Sequence, residues 1–225
     1  MNPTEIEKNV RELLQSLPPH VTLVAAAKTR TPEEVEAAVR GGVRIIGYNY
    51  VQEAQRMYEV IGNRVQWHLI GHLQRNKAKF AVPLFDMIET LDNVRLAEVL
   101  DRRCAEAGKV MPVLIEVNSG REPNKAGVMP EALDELVRAV SRFAHLRVQG
   151  LMTMGPLLPE PEAYRPYFRA TREAFERLAE AGLPNVEMRY LSMGMSDSYL
   201  VAIEEGANLV RLGTKLFGPR AAKPD

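Results

Sequence analysis

The 225-residue chain has one cysteine, Cys104, so it can form neither an internal disulfide nor a cysteine-based zinc centre. It also has no excess charge of either sign, because 29 Lys and Arg balance 29 Asp and Glu. Aromatic residues make up only 6% of the chain, and none are interleaved along a basic stripe. The expected partners therefore include no nucleic acid and no anionic membrane surface held by bulk charge. No apolar run approaches the roughly 20 residues that cross a bilayer. The opening Met1-Asn2-Pro3-Thr4-Glu5 has no apolar signal core, so the expected location is the cytoplasm. What remains is 46% apolar and 26% charged, enough for one large soluble core.

The apolar residues fall into short runs that alternate with amphipathic stretches, one pair every 25 to 30 residues or so, as βα units do. Eight runs read as strands: Val21–Ala27, Val43–Gly47, Val65–Ile70, Met87–Leu91, Val113–Val117, Val148–Met152, Met188–Leu191 and Leu209–Leu212. The clearest helix start is Thr31-Pro32-Glu33-Glu34, a capping box with proline at the first helical position, and Gly41-Gly42 closes that helix. Further helices are expected over Val51–Ile61, Arg95–Ala107, Pro130–Phe143, Glu162–Ala181 and Ser198–Glu205, with a shorter one in Gln74–Phe80. Too few residues follow the eighth strand for a closing helix. The opening amphipathic segment Pro3–Ser16, with Ile6, Val10, Leu13 and Leu14 on one face, can take that place. Strands without an alternating polar face favour a closed parallel (β/α)8 TIM barrel over a doubly wound open sheet. No linker or repeat divides residues 1–225, which read as a single barrel domain.

Barrel chemistry sits at the carboxyl ends of the strands. There the chain has Lys28; Tyr48-Asn49; Gly71-His72; Asp92-Asn93; Glu116 and Asn118; Thr153; Ser192 and Ser196; and Arg211, Gly213 and Thr214. About half of these are expected simply to satisfy backbone groups. Lys28 follows Leu23-Val24-Ala25-Ala26-Ala27. It is either an amine projecting into the barrel mouth, where burial favours the uncharged nucleophile of Schiff-base chemistry, or a lysine that snorkels to solvent. The turns Ser192-Met193-Gly194-Met195-Ser196 and Arg211-Leu212-Gly213-Thr214 have the composition of phosphate-binding loops, although Ser196 and Asp197 also read as a helix N-cap. In Trp67-His68-Leu69-Ile70-Gly71-His72 the two histidines straddle a strand end with no third ligand, so no metal is expected. His72 is read as a hydrogen-bonding group for a ligand oxygen and His68 as a partnered core residue. The loop 120–127 is read as a solvated turn, the methionines as adaptable packing and Cys104 as unactivated. A lysine at one strand end and phosphate-type turns at two others suggest an aldehyde cofactor bearing a phosphate, pyridoxal 5′-phosphate (PLP).

Six segments carry a resemblance that runs through nearly the whole chain. They are Val24-Ala25-Ala26-Ala27-Lys28-Thr29, Asn49-Tyr50-Val51-Gln52-Glu53, Trp67 through Lys77, Gly150-Leu151-Met152-Thr153-Met154, Leu191-Ser192-Met193-Gly194-Met195-Ser196-Asp197, and Val210-Arg211-Leu212-Gly213-Thr214. With these the chain closely resembles the pyridoxal phosphate homeostasis proteins, whose fold is similar to the N-terminal barrel of alanine racemase. The resemblance implies a barrel of PLP fold-type III with an N-terminal helix and no C-terminal β-domain. It implies Lys28 as the Schiff-base lysine and Ser192, Gly213 and Thr214 at the phosphate. Arg211 would face the pyridine nitrogen, and Asn49 and Met193 would line the cofactor. A cation at that nitrogen weakens the electron sink, so the implied role is binding and delivery of PLP in vitamin B6 and amino-acid homeostasis, without turnover. Apo-enzymes that use PLP would be the receiving partners, and the missing β-domain favours a monomer. The chain departs from the family pattern at Tyr48, where a glutamate is usual, and at Ser198, where a second acidic residue is usual. Tyr48 is therefore the phenol that could serve as the opposing acid in the alternative function, an alanine-type racemase. A Schiff-base aldolase without cofactor is the third reading.

Overall fold

A computed structural model describes residues 1–219. The chain opens with α1 (Pro3–Ser16), where the Asn2 side chain accepts from the Glu5 amide and the Glu5 carboxylate accepts from the Asn2 amide. Eight parallel strands then alternate with helices: β1 (Thr22–Ala26), α2 (Pro32–Gly41), β2 (Ile45–Tyr48), α3 (Val51–Ile61), β3 (Gln66–Leu69), α4 (Ala78–Leu84), β4 (Met87–Leu91), α5 (Val94–Glu106), β5 (Met111–Val117), α6 (Leu133–Val140), β6 (Leu146–Thr153), α7 (Arg165–Ala179), β7 (Val186–Ser192), α8 (Tyr199–Glu204) and β8 (Leu209–Leu212). β1 pairs with β8 as well as with β2, which closes the barrel in strand order.

Side-chain parity sorts the residues into two apolar layers. Val24, Ile45, Ile70, Met87, Leu114, Met152 and Leu209 form a small interior cluster. The larger cluster lies between barrel and helices and includes Ile46, Trp67, Leu69, Ile88, Leu151 and Leu212. Most strands are buried on both faces, as the continuous apolar runs required, but β7 departs: Glu187 and Arg189 are exposed and alternate with half-buried residues.

The expected capping box of α2 is present: Thr31 accepts from the Glu34 amide, and Gly42, at φ 120°, ends the helix. Other boundaries differ. The expected helix at Gln74–Phe80 is a 3-10 turn, Arg75–Lys77, followed by α4 at Ala78–Leu84, where Ala78, Ala81 and Val82 supply the buried face. Pro130 and Pro161 likewise open 3-10 turns rather than α-helix, so α6 and α7 begin at Leu133 and Arg165. One helical turn, α9 (Thr214–Phe217), follows β8 where too few residues for a helix had been expected. α1 does flank the β8 position. Asn9 Nδ2 donates to the carbonyls of Lys215 (2.5 Å) and Leu216 (3.0 Å), and on the other side α1 lies so close to α2 that a Cβ at Gly41 would sit 2.8 Å from Val10 Cβ. Among the described residues no helix is long and apolar enough to cross a membrane.

Candidate active site at the barrel mouth

Lys28 follows β1 at the carboxyl end of the barrel, two residues past Ala26, which packs on the interior cluster. The lysine is half-buried, and its Nζ lies 4.9 Å from the centroid of the Tyr50 ring. The neighbouring strand β8 leads into Gly213, where a Cβ would stand 3.2 Å from the Ala26 carbonyl oxygen. The end of β1 and the turn after β8 therefore lie against each other, with little room for a side chain at position 213. Asn49, half-buried after β2, lines a cavity of about 300 Å³ with Tyr50, Gln52, Gly71 and His72. His72 is exposed at that rim; His68 is a buried and partnered core residue.

Inside the mouth the structure builds a polar chain across four strands. Arg211, 3% exposed, donates from Nη1 to Ser192 Oγ (2.5 Å) and from Nη2 to the Thr153 carbonyl (2.9 Å). Ser192 donates to Glu89 Oε2 (2.6 Å), and Glu89 Oε1 lies 2.7 Å from His68 Nδ1. Burial opposes the charge on Glu89. Hydrogen bonding and charge from His68, with Arg211 and Ser192, outweigh that cost and hold the carboxyl below its ordinary range. Burial pulls the Arg211 guanidinium down from its ordinary value, against the opposing pull of Glu89 and Glu116. Glu89 was not singled out from the sequence, yet a glutamate in the middle of Met87-Ile88-Glu89-Thr90-Leu91 was a signal, since a fully buried carboxylate needs partners.

The residues expected around a phosphate divide into two groups. Gly213 and the exposed Thr214 stand at the start of α9. The hydroxyl that meets them is that of Ser196, which accepts from the amides of Gly213 (3.4 Å) and Lys215 (3.1 Å). Ser196 is thus bonded at the amino end of α9, not at α8, whose N-cap position is Ser198. Ser198 is buried, and its hydroxyl accepts from the Met195 amide (3.2 Å), closing the turn where the family pattern has an acidic residue. Ser192 points into the barrel interior, while Met193, one residue on, packs in the helix-side layer; alternation along the chain separates them. Between these residues Gly194 adopts φ +92°, and a Cβ there would lie 2.7 Å from Ala202 Cβ.

Tyr48 is not at the mouth. Its ring stacks on Trp67 at 6.1 Å in the layer between barrel and helices, and burial, with the Glu53 charge nearby, pushes its phenol well above the ordinary value. The reason is parity: Gly47 faces inward against Val24 and Ile70, so Tyr48 must face outward. The phenol beside Lys28 is Tyr50.

On the far side of the mouth, Glu116 at the end of β5 is 7% exposed, and its Oε2 has no hydrogen-bond partner among the described residues. Burial, reinforced by Asp92 and opposed by Arg211, pushes its carboxyl up to about 7. It lines a cavity of about 380 Å³ bounded by the loops after β5, β6 and β7.

Residues 1–221 match the family model described as alanine racemase, N-terminal domain. A pyridoxal phosphate homeostasis protein of Aquifex aeolicus is 43% identical over 199 residues, covering 88% of this chain and 86% of that one. The protein of the same name from Escherichia coli is 38% identical over 213 residues, covering 90% and 87%. PipY of Synechococcus elongatus, solved with PLP bound, superposes with a TM-score of 0.87 at 34% identity over 95% of this chain and 100% of that one. An alanine racemase of Clostridium difficile, at 15% identity and TM-score 0.79, shares the fold. On the match over residues 1–221 and on relatives this similar across most of its length, the chain belongs to the pyridoxal phosphate homeostasis protein family, built on the barrel of the alanine racemase N-terminal domain.

Proposed function

We propose that this chain binds PLP as a Schiff base on Lys28 and holds it for delivery in PLP and amino-acid homeostasis, without catalytic turnover. The observation that carries the reading is the contact between the end of β1, which bears Lys28, and the Gly213–Thr214 turn after β8, beside a buried Arg211. The donor set fits the cofactor. Lys28 offers a primary amine for the aldehyde, Gly213 and Thr214 offer backbone and hydroxyl donors for a dianionic phosphate, and Arg211 offers a fixed donor for the pyridine nitrogen. Asn49 stands at the rim on the β2 side. Ser192 serves by holding the guanidinium, and Met193 packs behind the turn. The family relatives named for PLP homeostasis, and PipY with PLP bound, support this reading.

When bound, PLP supplies an aldehyde carbon that condenses with an amine and an aromatic ring that can draw electrons. Arg211 is a cation tied to Glu89 through Ser192, so a proton on the facing ring nitrogen would meet a like charge. That disfavours carbanion chemistry. A racemase also needs an acid opposite the lysine, and Tyr48 lies outside the barrel wall. Titration of the apoprotein with PLP should give one equivalent of a visible imine band, which Lys28→Ala abolishes while leaving the folded circular dichroism signal. The loaded protein should interconvert neither alanine enantiomer. An unchanged band in Lys28→Ala would remove the assignment, and sustained racemisation would replace a carrier by an enzyme.

A further inference from the structure

The cavity on the β5–β7 side of the mouth is separate in its lining from Lys28, Gly213 and Thr214. Its apolar wall is Met154, Pro156, Leu157, Tyr164 and Met195, and Leu157, 86% exposed, stands at the rim. The polar groups around it are nearly all committed. Asn118 Nδ2 donates to the Glu122 carbonyl (2.8 Å) and its Oδ1 accepts from the Glu122 amide (3.0 Å). The Ser119 hydroxyl bonds that of Thr153 (2.8 Å), and Lys125 pairs with Glu122 (2.6 Å). Among the described residues, Glu116 Oε2 is the one buried side-chain polar atom of the lining without a hydrogen-bond partner.

We propose that this cavity binds a small protonated amine with a branched apolar body, its ammonium donating to the Glu116 carboxylate. An acceptor buried beside an open cavity is costly unless a donor enters to meet it. The charges facing Glu116 say which donor fits. Asp92, at the end of β4, repels the carboxylate, and the Arg211 guanidinium is bonded to Ser192 and to the Thr153 carbonyl. A cationic ligand relieves the repulsion that a neutral donor leaves in place. The volume, about 380 Å³, lies within the range of small-molecule sites, roughly 300 to 1,000 Å³. An ammonium draws the carboxyl into its ionised form, so affinity should rise as pH passes upward through about 7.

The proposal does not depend on PLP, and its probe is chosen accordingly. N,N-dimethylisopentylamine, a tertiary amine, cannot condense with an aldehyde, and isopentyl methyl ether is its neutral counterpart. Each is titrated into the full-length protein at about pH 8 and about pH 6, with the methyl resonances of Met154 and Met195 as reporters. The amine should bind saturably, about tenfold more tightly at the higher pH, from the ionised fraction of a group titrating near 7. The ether, which can only accept from the protonated carboxyl, should bind at least tenfold more weakly at the higher pH and gain nothing as pH rises. Glu116→Gln should remove both the preference for the amine and its pH dependence. Equal binding of amine and ether, no saturable amine binding, or an unchanged pH dependence in Glu116→Gln would each overturn the proposal. If that variant does not fold, the wild-type comparison of amine and ether at the two pH values decides alone.

Discussion

The two ends of the barrel interior are built on opposite principles. Toward the amino ends of the strands the filling is apolar, with Ile45, Met87 and Leu209 at the strand starts and Val24 and Leu114 at mid-strand. Toward the carboxyl ends it turns ionic: Glu89, His68, Ser192 and Arg211 form one chain, and Glu116 stands near it without a hydrogen-bond partner for Oε2. The lower half is stabilised by burial and packing alone. The upper half gains little stability, because desolvation of a buried pair offsets most of its attraction. Its ions are better understood as placing a fixed guanidinium where a ligand is expected.

Converting the upper half to the character of the lower half breaks this comparison most sharply. Arg211→Met should destabilise by about 3–5 kcal/mol, because Glu89 loses the guanidinium 3.9 Å from its carboxylate and Ser192 loses its donor. Adding Glu89→Leu should recover most of that loss, and denaturant unfolding midpoints check both. A cavity in the apolar half gives the control: Leu114→Ala should lower stability by about 2–5 kcal/mol and leave PLP occupancy of the folded protein unchanged, read by unfolding and by visible absorbance. Glu116 gives a pH-dependent contrast. Its folded carboxyl, at about 7, lies above its ordinary value of 4.5, so the group stabilises most in acid and loses that contribution as pH rises across the interval. The stability of Glu116→Gln relative to wild type should therefore grow from about pH 4.5 to about pH 7 by about 3 kcal/mol and then level off. The smallest effect is at the turn, where Thr214→Ala should weaken PLP retention by about 1–3 kcal/mol without moving the unfolding midpoint of the apoprotein.

Most of the barrel was legible because its signals are local. The Thr31–Glu34 capping box, the eight apolar runs and the amphipathic Pro3–Ser16 each specify an element without help from the rest of the fold. Position along the chain also marked Lys28, Gly213 and Thr214 as strand-end residues, and the structure brings β1 and the β8 turn into contact. What failed needed parity or partners. Tyr48 looked like a mouth residue until the inward Gly47 fixed its outward direction. Ser192 and Ser196 looked alike in one turn, yet the first bonds the interior ions and the second the amides of α9. The contribution of Glu89 depends on groups from β3, β7 and β8, far apart in sequence.

Borohydride reduction of the PLP-loaded protein, followed by peptide mass mapping, tests the central claim most directly. The account predicts a single pyridoxyl group on the peptide carrying Lys28. Unmodified Lys28, with label on Lys77, Lys125 or other surface lysines, would contradict it.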